Sequence, residues 1–159
     1  MSTTALQLVG ASLDEEAINV ALVPRHLVLS VWPRVEEILI SNPPSGSPLF
    51  ATPPQIVQAL LDGKNSLWIG GEGSAIDAIH ICSIVQYPAA KTLMVNYVGG
   101  KNLRGVMAVA GPMVEDWALK QGCTHIELVA PRAVMRILRR WGYLPIAEYA
   151  CKPLVTFQS

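Results

Sequence analysis

Apolar residues change their spacing along this chain, and each change marks an element. From Pro24 onward, Leu27, Val31, Val35 and Ile38 recur at helical spacing while Glu36 and Glu37 fall on another side, which predicts an amphipathic helix. Pro33 lies inside that run, so a kink or a break is expected there. Asn42-Pro43-Pro44-Ser45-Gly46-Ser47-Pro48 reads as a loop. Thr52-Pro53-Pro54-Gln55 then reads as a helix start. Threonine caps free N–H groups, proline suits the first turn, and glutamine three residues on completes a capping box. Ile56, Val57, Leu60 and Leu61 supply the buried side of this helix, and Gly63 is placed to end it.

The period then shortens. Ser66 to Gly70 and Ile76 to Gln86 read as strands separated by the turn Gly71-Glu72-Gly73-Ser74. The second strand sets Ile76, Ala78, His80, Cys82 and Ile84 on one face and Ile79, Ile81 and Val85 on the other. Apolar residues on both faces indicate a central strand covered from two sides. Thr92 to Val98 is a third strand of the same character. The helical period returns with Leu103, Val106, Met107, Ala110, Met113, Val114, Trp117 and Ala118 on one stripe. Pro112 falls on the opposite side, which predicts one bent helix ending at Gln121-Gly122; a helix starting at Pro112 is the alternative. Thr124 to Val129 reads as a strand, and Pro131 opens a helix with Val134, Ile137, Leu138 and Trp141 inward and Gly142 at its end. Ala147 to Thr156 reads as a last strand. Residues 1–23 carry no clear pattern: Ala5 to Val9 fits an edge strand and Leu13-Asp14-Glu15-Glu16 a short helix start. Helices interleaved with strands in this way predict an α/β or α+β fold with a mixed sheet.

Composition narrows the classes. The chain has 159 residues, 51% of them apolar and 15% charged, which suits one globular domain with a sizeable core. Lysine plus arginine and aspartate plus glutamate are each 12, so net charge argues for neither nucleic acid nor an anionic membrane. Arg132, Arg136, Arg139 and Arg140 nevertheless crowd one stretch, and the first three recur on the side away from the apolar face. The three cysteines, Cys82, Cys123 and Cys151, have no metal-like spacing and sit in or beside apolar segments, as free thiols in a reducing compartment do. The first basic residue is Arg25 and no apolar run reaches membrane-spanning length, so neither a signal peptide nor a transmembrane helix is expected. A cytoplasmic protein, or one made in a host cytoplasm and packaged into a virion, is the expectation.

Candidate chemistry concentrates between Asn96 and Tyr143. A strand ending in Val98-Gly99-Gly100-Lys101-Asn102 runs directly into the long helix. A glycine-bearing turn at that junction leaves backbone N–H groups free to hold a phosphate-rich ligand, and Lys101 and Arg104 add positive charge. A tight connection without ligand is the plainer reading of Gly99 and Gly100. His80 reads as a hydrogen-bonded core residue. Glu127 and Asn96 are placed to face a cleft if their strands splay, where either can orient an amine or a water.

The order of elements resembles the GNAT acyl-CoA N-acyltransferase superfamily over roughly Pro24 to Val155, and more narrowly the small GNAT-like proteins often encoded by phages and prophages. The residues that carry the resemblance are Val31-Trp32-Pro33, Leu67-Trp68, Trp117-Ala118 with Gly122-Cys123, and Arg132 to Tyr143 ending in Gly142-Tyr143. It implies a mixed, mostly antiparallel sheet of about six to seven strands with helices on both faces. It also implies acetyl transfer from acetyl-CoA to a small-molecule or protein amine. The superfamily's pyrophosphate turn maps onto Val98, Gly99, Gly100, Lys101, Asn102, Arg104 and Gly105; only Asn102 with Gly105 keeps the first spacing, and Met107 stands where a second small residue belongs. Tyr143 falls at the position where some members protonate the leaving thiolate; a packed core aromatic is the plainer reading. The alternative function is a GNAT-fold protein without catalysis that serves as a structural or interaction module, as a homo-oligomer or with a virion partner. A nucleic-acid partner for the arginine helix, a metal and a membrane are not expected.

Overall fold

A computed structural model describes residues 17–43 and 51–155. The candidate strand Ala5 to Val9 and the helix start Leu13-Asp14-Glu15-Glu16 lie outside the described residues, as does most of the proline-rich loop. The chain divides into two compact units, one up to Leu128 and one from Val129 onward.

The first unit is built on a five-stranded sheet: β1 Ile18–Leu22, β2 Asn65–Glu72, β3 Ala78–Gln86, β4 Lys91–Gly100 and β5 His125–Leu128. The strands lie in chain order, antiparallel from β1 to β4, with β5 joining β4 in parallel. Helices α1 (Val28–Ser41, entered through the 3₁₀ turn Arg25–Leu27), α2 (Pro53–Leu61) and α3 (Leu103–Lys120) complete the unit. The strand β1 was hidden in the unassigned stretch, although Ile18, Val20 and Leu22 alternate there.

Both faces of the sheet are covered, as the two-sided apolar pattern of β3 requires. On one face Ile79, Ile81, Leu67, Ile69 and Ala21 pack with Val31, Val35 and Ile38 of α1 and with Ile56 and Leu60 of α2. On the other, Val20, Trp68, Ala78, Cys82 and Leu93 pack with Val106, Ala110, Val114 and Ala118 of α3. That stripe steps by four residues and is narrower than expected, for Leu103 and Met113 are exposed. Neither proline breaks its helix. Pro33 and Pro112 remove the bonds to the carbonyls of Leu29 and Ala108, both on exposed residues where water can substitute.

Local signals set the helix ends. The N–H of Thr52 donates to Oε1 of Gln55 at 2.9 Å, one half of the expected capping box. At the end of α3, Gly122 takes φ +85°, its N–H bonds Leu119 O at 2.9 Å, and Cys123 N–H bonds Ala118 O at 2.9 Å. Those two bonds satisfy carbonyls that the helix would otherwise strand.

In the second unit, α4 (Arg132–Leu138) continues as a 3₁₀ turn over Arg139–Trp141. Gly142 at φ +87° closes it, with Tyr143 N–H on Leu138 O at 3.2 Å. Val134 and Ile137 of this helix are exposed and Leu138 is half-buried. The expected strand from Ala147 is absent over residues 147–155, where Pro153 lacks the N–H a ladder needs. The described sheet therefore has five strands, fewer than the expected six to seven.

Candidate functional site

The site grows from one irregularity in β4. Ile81 of β3 is opposite Tyr97, but the next residue, Cys82, is opposite Val95, so Asn96 is an inserted bulge residue. Pairing with β5 stops at the same place: its last pair is Val95 with Leu128. Beyond it Asn96, Tyr97, Val98, Gly99 and Gly100 run on with β3 on one side and no β5 on the other. β5 itself ends at Leu128, so β4 continues without a parallel partner strand from the bulge onward.

The groups offered along that open edge follow from antiparallel alternation. Lys101 N–H donates to Asp77 O at 2.7 Å, toward β3. Backbone groups of alternate residues point to the same neighbour, so Gly99 shares that direction while Val98 and Gly100 turn their N–H and C=O outward. Val98 lies opposite His80 and is 37% exposed.

The glycine pair occupies the strand and not a turn. A Cβ on Gly99 would lie 2.1 Å from the Tyr97 hydroxyl, and one on Gly100 (φ +121°) would lie 2.2 Å from Asp77 O. These glycines are explained by Tyr97 and by the backbone of β3, so the expected turn moves two residues on, to Lys101-Asn102. Asn102 adopts φ +52° and leads into α3 without a side-chain cap. The first helical bond is Val106 N–H to Asn102 O at 3.0 Å, which leaves the N–H groups of Leu103, Arg104 and Gly105 directed out of the helix end. Lys101 and Arg104 are exposed there and form no ion pair among the described residues. Met107 packs half-buried against the core under α3.

The sheet face under α1 and α2 carries a polar group of its own beside the bulge. Asn96 Nδ2 donates to Ser83 Oγ at 3.0 Å. One pair earlier, Glu127 of β5 lies opposite Met94, and its two carboxylate oxygens accept from the Tyr87 hydroxyl at 2.7 Å and from Thr92 Oγ1 at 3.0 Å. Donation to Glu127 raises the Tyr87 phenol above its ordinary value, since the carboxylate favours the protonated phenol. Tyr97 is buried among α1 residues, donates to Asn42 O at 2.5 Å, and is raised by burial. Ser83, Tyr87, Thr92 and Tyr97 were not candidates in the sequence, because only the pairing of strands brings them to Asn96 and Glu127.

On the α3 face His80 is 4% exposed, and burial pushes its pKa down to about 4. Its Nδ1 has no hydrogen-bond partner among the described residues, which differs from the hydrogen-bonded core histidine expected. The neighbouring Trp68 meets Trp117 edge-on at 6.0 Å, and its buried indole Nε1, like His80 Nδ1, has no hydrogen-bond partner among the described residues. Tyr143 lies in the second unit, half-buried after Gly142. Arg132, in the same unit, pairs with Glu148 at 2.9 Å on the surface.

No family model and no curated protein sequence matches this chain. Solved structures do. A GCN5-related N-acetyltransferase from Ralstonia eutropha JMP134 superposes with TM-score 0.63 at 16% identity, over 87% of this chain and 99% of that one. The chain has the GNAT fold. A predicted acetyltransferase from Clostridium acetobutylicum, crystallised with acetyl-CoA, gives TM-score 0.61 at 15% identity over 86% of this chain and 96% of that one. AAC(6')-Iy with the bisubstrate analogue CoA-S-monomethyl-acetylneamine gives 0.65 at 12% identity over 89% and 100%. These GNAT neighbours share the architecture, at identities that speak for the fold alone. Among the described residues no helix is long and apolar enough to cross a membrane.

Proposed function

We propose that this GNAT-fold chain transfers an acetyl group from acetyl-CoA to an amine. The observation that carries the reading is that β4 runs past its last pair with β5 at the Asn96 bulge and ends at a helix N-terminus without a side-chain cap. The residues present fit the co-substrate. The N–H groups of Leu103, Arg104 and Gly105, with Lys101 and Arg104 side chains, suit a pyrophosphate. The outward backbone of Val98 and Gly100 suits the amide-bearing arm and the acyl carbonyl. Acetyl-CoA supplies an activated thioester; the chain supplies orientation, which can account for a large part of such a rate. The resemblance alone assigns Tyr143 the protonation of the departing thiolate. Tyr143→Phe is then expected to lower kcat roughly 10- to 100-fold while leaving acetyl-CoA affinity unchanged, measured by thiol release and calorimetry.

The reading is tested by titrating acetyl-CoA calorimetrically into the full chain. Binding that weakens about tenfold in a Lys101→Ala, Arg104→Ala variant, and with added salt, is expected. No binding at millimolar acetyl-CoA overturns it. A second reading, a GNAT-fold module without transfer activity, is favoured by Met107 standing where the superfamily turn has a small residue. A stable assembly in native mass spectrometry that ignores acetyl-CoA supports that second reading.

A further inference from the structure

The bulge decides from which side an acceptor can reach the part of β4 beyond β5. On the α3 face, Val106, Ala110, Val114 and Ala118 pack down onto the strands, and the residue opposite Val98 is the buried His80. On the other face a bulge sets consecutive residues to one side, here Asn96 and Tyr97. Tyr97 is taken up by the core and by Asn42. Asn96 is not: it is half-buried, its Nδ2 is held by Ser83, and its Oδ1 carries no partner among the described residues. An amide whose donor end is anchored presents a fixed acceptor, which suits an N–H of a neutral amine and leaves the nitrogen lone pair unused.

Glu127 shares this face, since its carboxylate bonds Thr92, a residue on the side of β4 opposite to Leu93. Two hydroxyls hold both of its oxygens, yet it has no cation in an ion pair among the described residues. A carboxylate fixed by neutral donors keeps its charge available to a cationic group. Glu127 is in register with Met94, and Asn96 follows two residues later. At about 3.3 Å per residue along β4 and about 4.8 Å across to β5, the two positions lie roughly 8 Å apart, within reach of a short diamine that hydrogen-bonds through both of its nitrogens.

We propose that the acceptor is a small aliphatic diamine, its reacting nitrogen held by Asn96 Oδ1 at the bulge and its distal ammonium by Glu127. This rests on the acetyl-transfer reading and adds the acceptor class and its side of approach. The reaction forms one C–N bond at the acyl carbon and breaks its C–S bond. The nitrogen releases one proton and the departing thiolate takes one up, so no other reactant is required.

The experiment compares 1,4-diaminobutane with 1-aminobutane as acceptors for the full chain with acetyl-CoA, following thiol release. In parallel, calorimetry follows 1,4-diaminobutane binding to protein saturated with a thioether analogue of acetyl-CoA. Wild type is expected to prefer the diamine at least about tenfold in kcat/KM. Glu127→Gln is expected to erase that preference through KM, and to weaken diamine binding in the calorimeter. Asn96→Ala and Asn96→Ser are expected to lower kcat/KM roughly 10- to 100-fold for both amines, with acetyl-CoA affinity unchanged as the sign of an intact fold. Equal use of the two amines, an Asn96 variant within twofold of wild type, or transfer to neither amine by a chain that binds acetyl-CoA overturns the proposal. An equal loss of acetyl-CoA affinity in both Asn96 variants also overturns it, by assigning Asn96 a structural role. Failure of wild type to bind acetyl-CoA instead removes the acetyl-transfer reading beneath it.

Discussion

Single residues show how burial sets chemistry here. Folded His80 takes a proton near pH 4, whereas an exposed histidine does so near 6.5. As pH falls, the unfolded chain binds the proton first. Stability held above pH 6.5 is therefore lost through the window down to about 4, by roughly 3 kcal/mol from this residue. Urea unfolding at pH 7.5 and pH 4.5 is expected to show that loss in wild type and less of it in His80→Leu. Gly99 gives a second test. Alanine there would overlap the Tyr97 hydroxyl, so Gly99→Ala is expected to cost about 1–3 kcal/mol whether or not any ligand binds. The glycine pair was readable as unusual, but its reason was not. The atom that demands Gly99 belongs to a tyrosine two residues away on the same strand face, placed there by the bulge.

Elements were legible where their signals are local. The capping box of α2, the glycine end of α3 and the continuity of α3 through Pro112 all depend on residues within one or two turns. Although Ala108 is exposed and water can reach its carbonyl, an intrahelical N–H would satisfy it better. Pro112→Ala is expected to stabilise the chain by about 1 kcal/mol in chemical denaturation, the helix bond gained exceeding the unfolded-state entropy that proline had removed. Strand β1, in a stretch without clear pattern, and the last strand, expected from Ala147 but absent over residues 147–155, escaped the sequence for the opposite reason. A five-residue strand has little pattern of its own, and β1 is specified by its register, Ile18 opposite Glu72 through Leu22 opposite Trp68.

At the scale of the whole molecule the two sheet faces divide the work. Each has its own apolar cluster, and thiol chemistry reports their integrity. Burial pushes the Cys82 thiol up to about 12, and Cys123 is buried beside it, while Cys151 is exposed. A thiol reagent is expected to label one cysteine in the native protein and all three in denaturant. Rapid native labelling of Cys82 would show the α3 face to be open. The amino-acid order by itself determined the alternation of elements, the two-sided character of β3 and the placing of charge at Lys101 and Arg104, because each follows from neighbours along the chain. Which backbone groups stand open, that Asn96 is a bulge, and that Glu127 is held by Tyr87 and Thr92 were decided only in three dimensions. Strand register and the point where two strands stop pairing arise from contacts between segments distant in sequence, and no short window of residues contains that pairing.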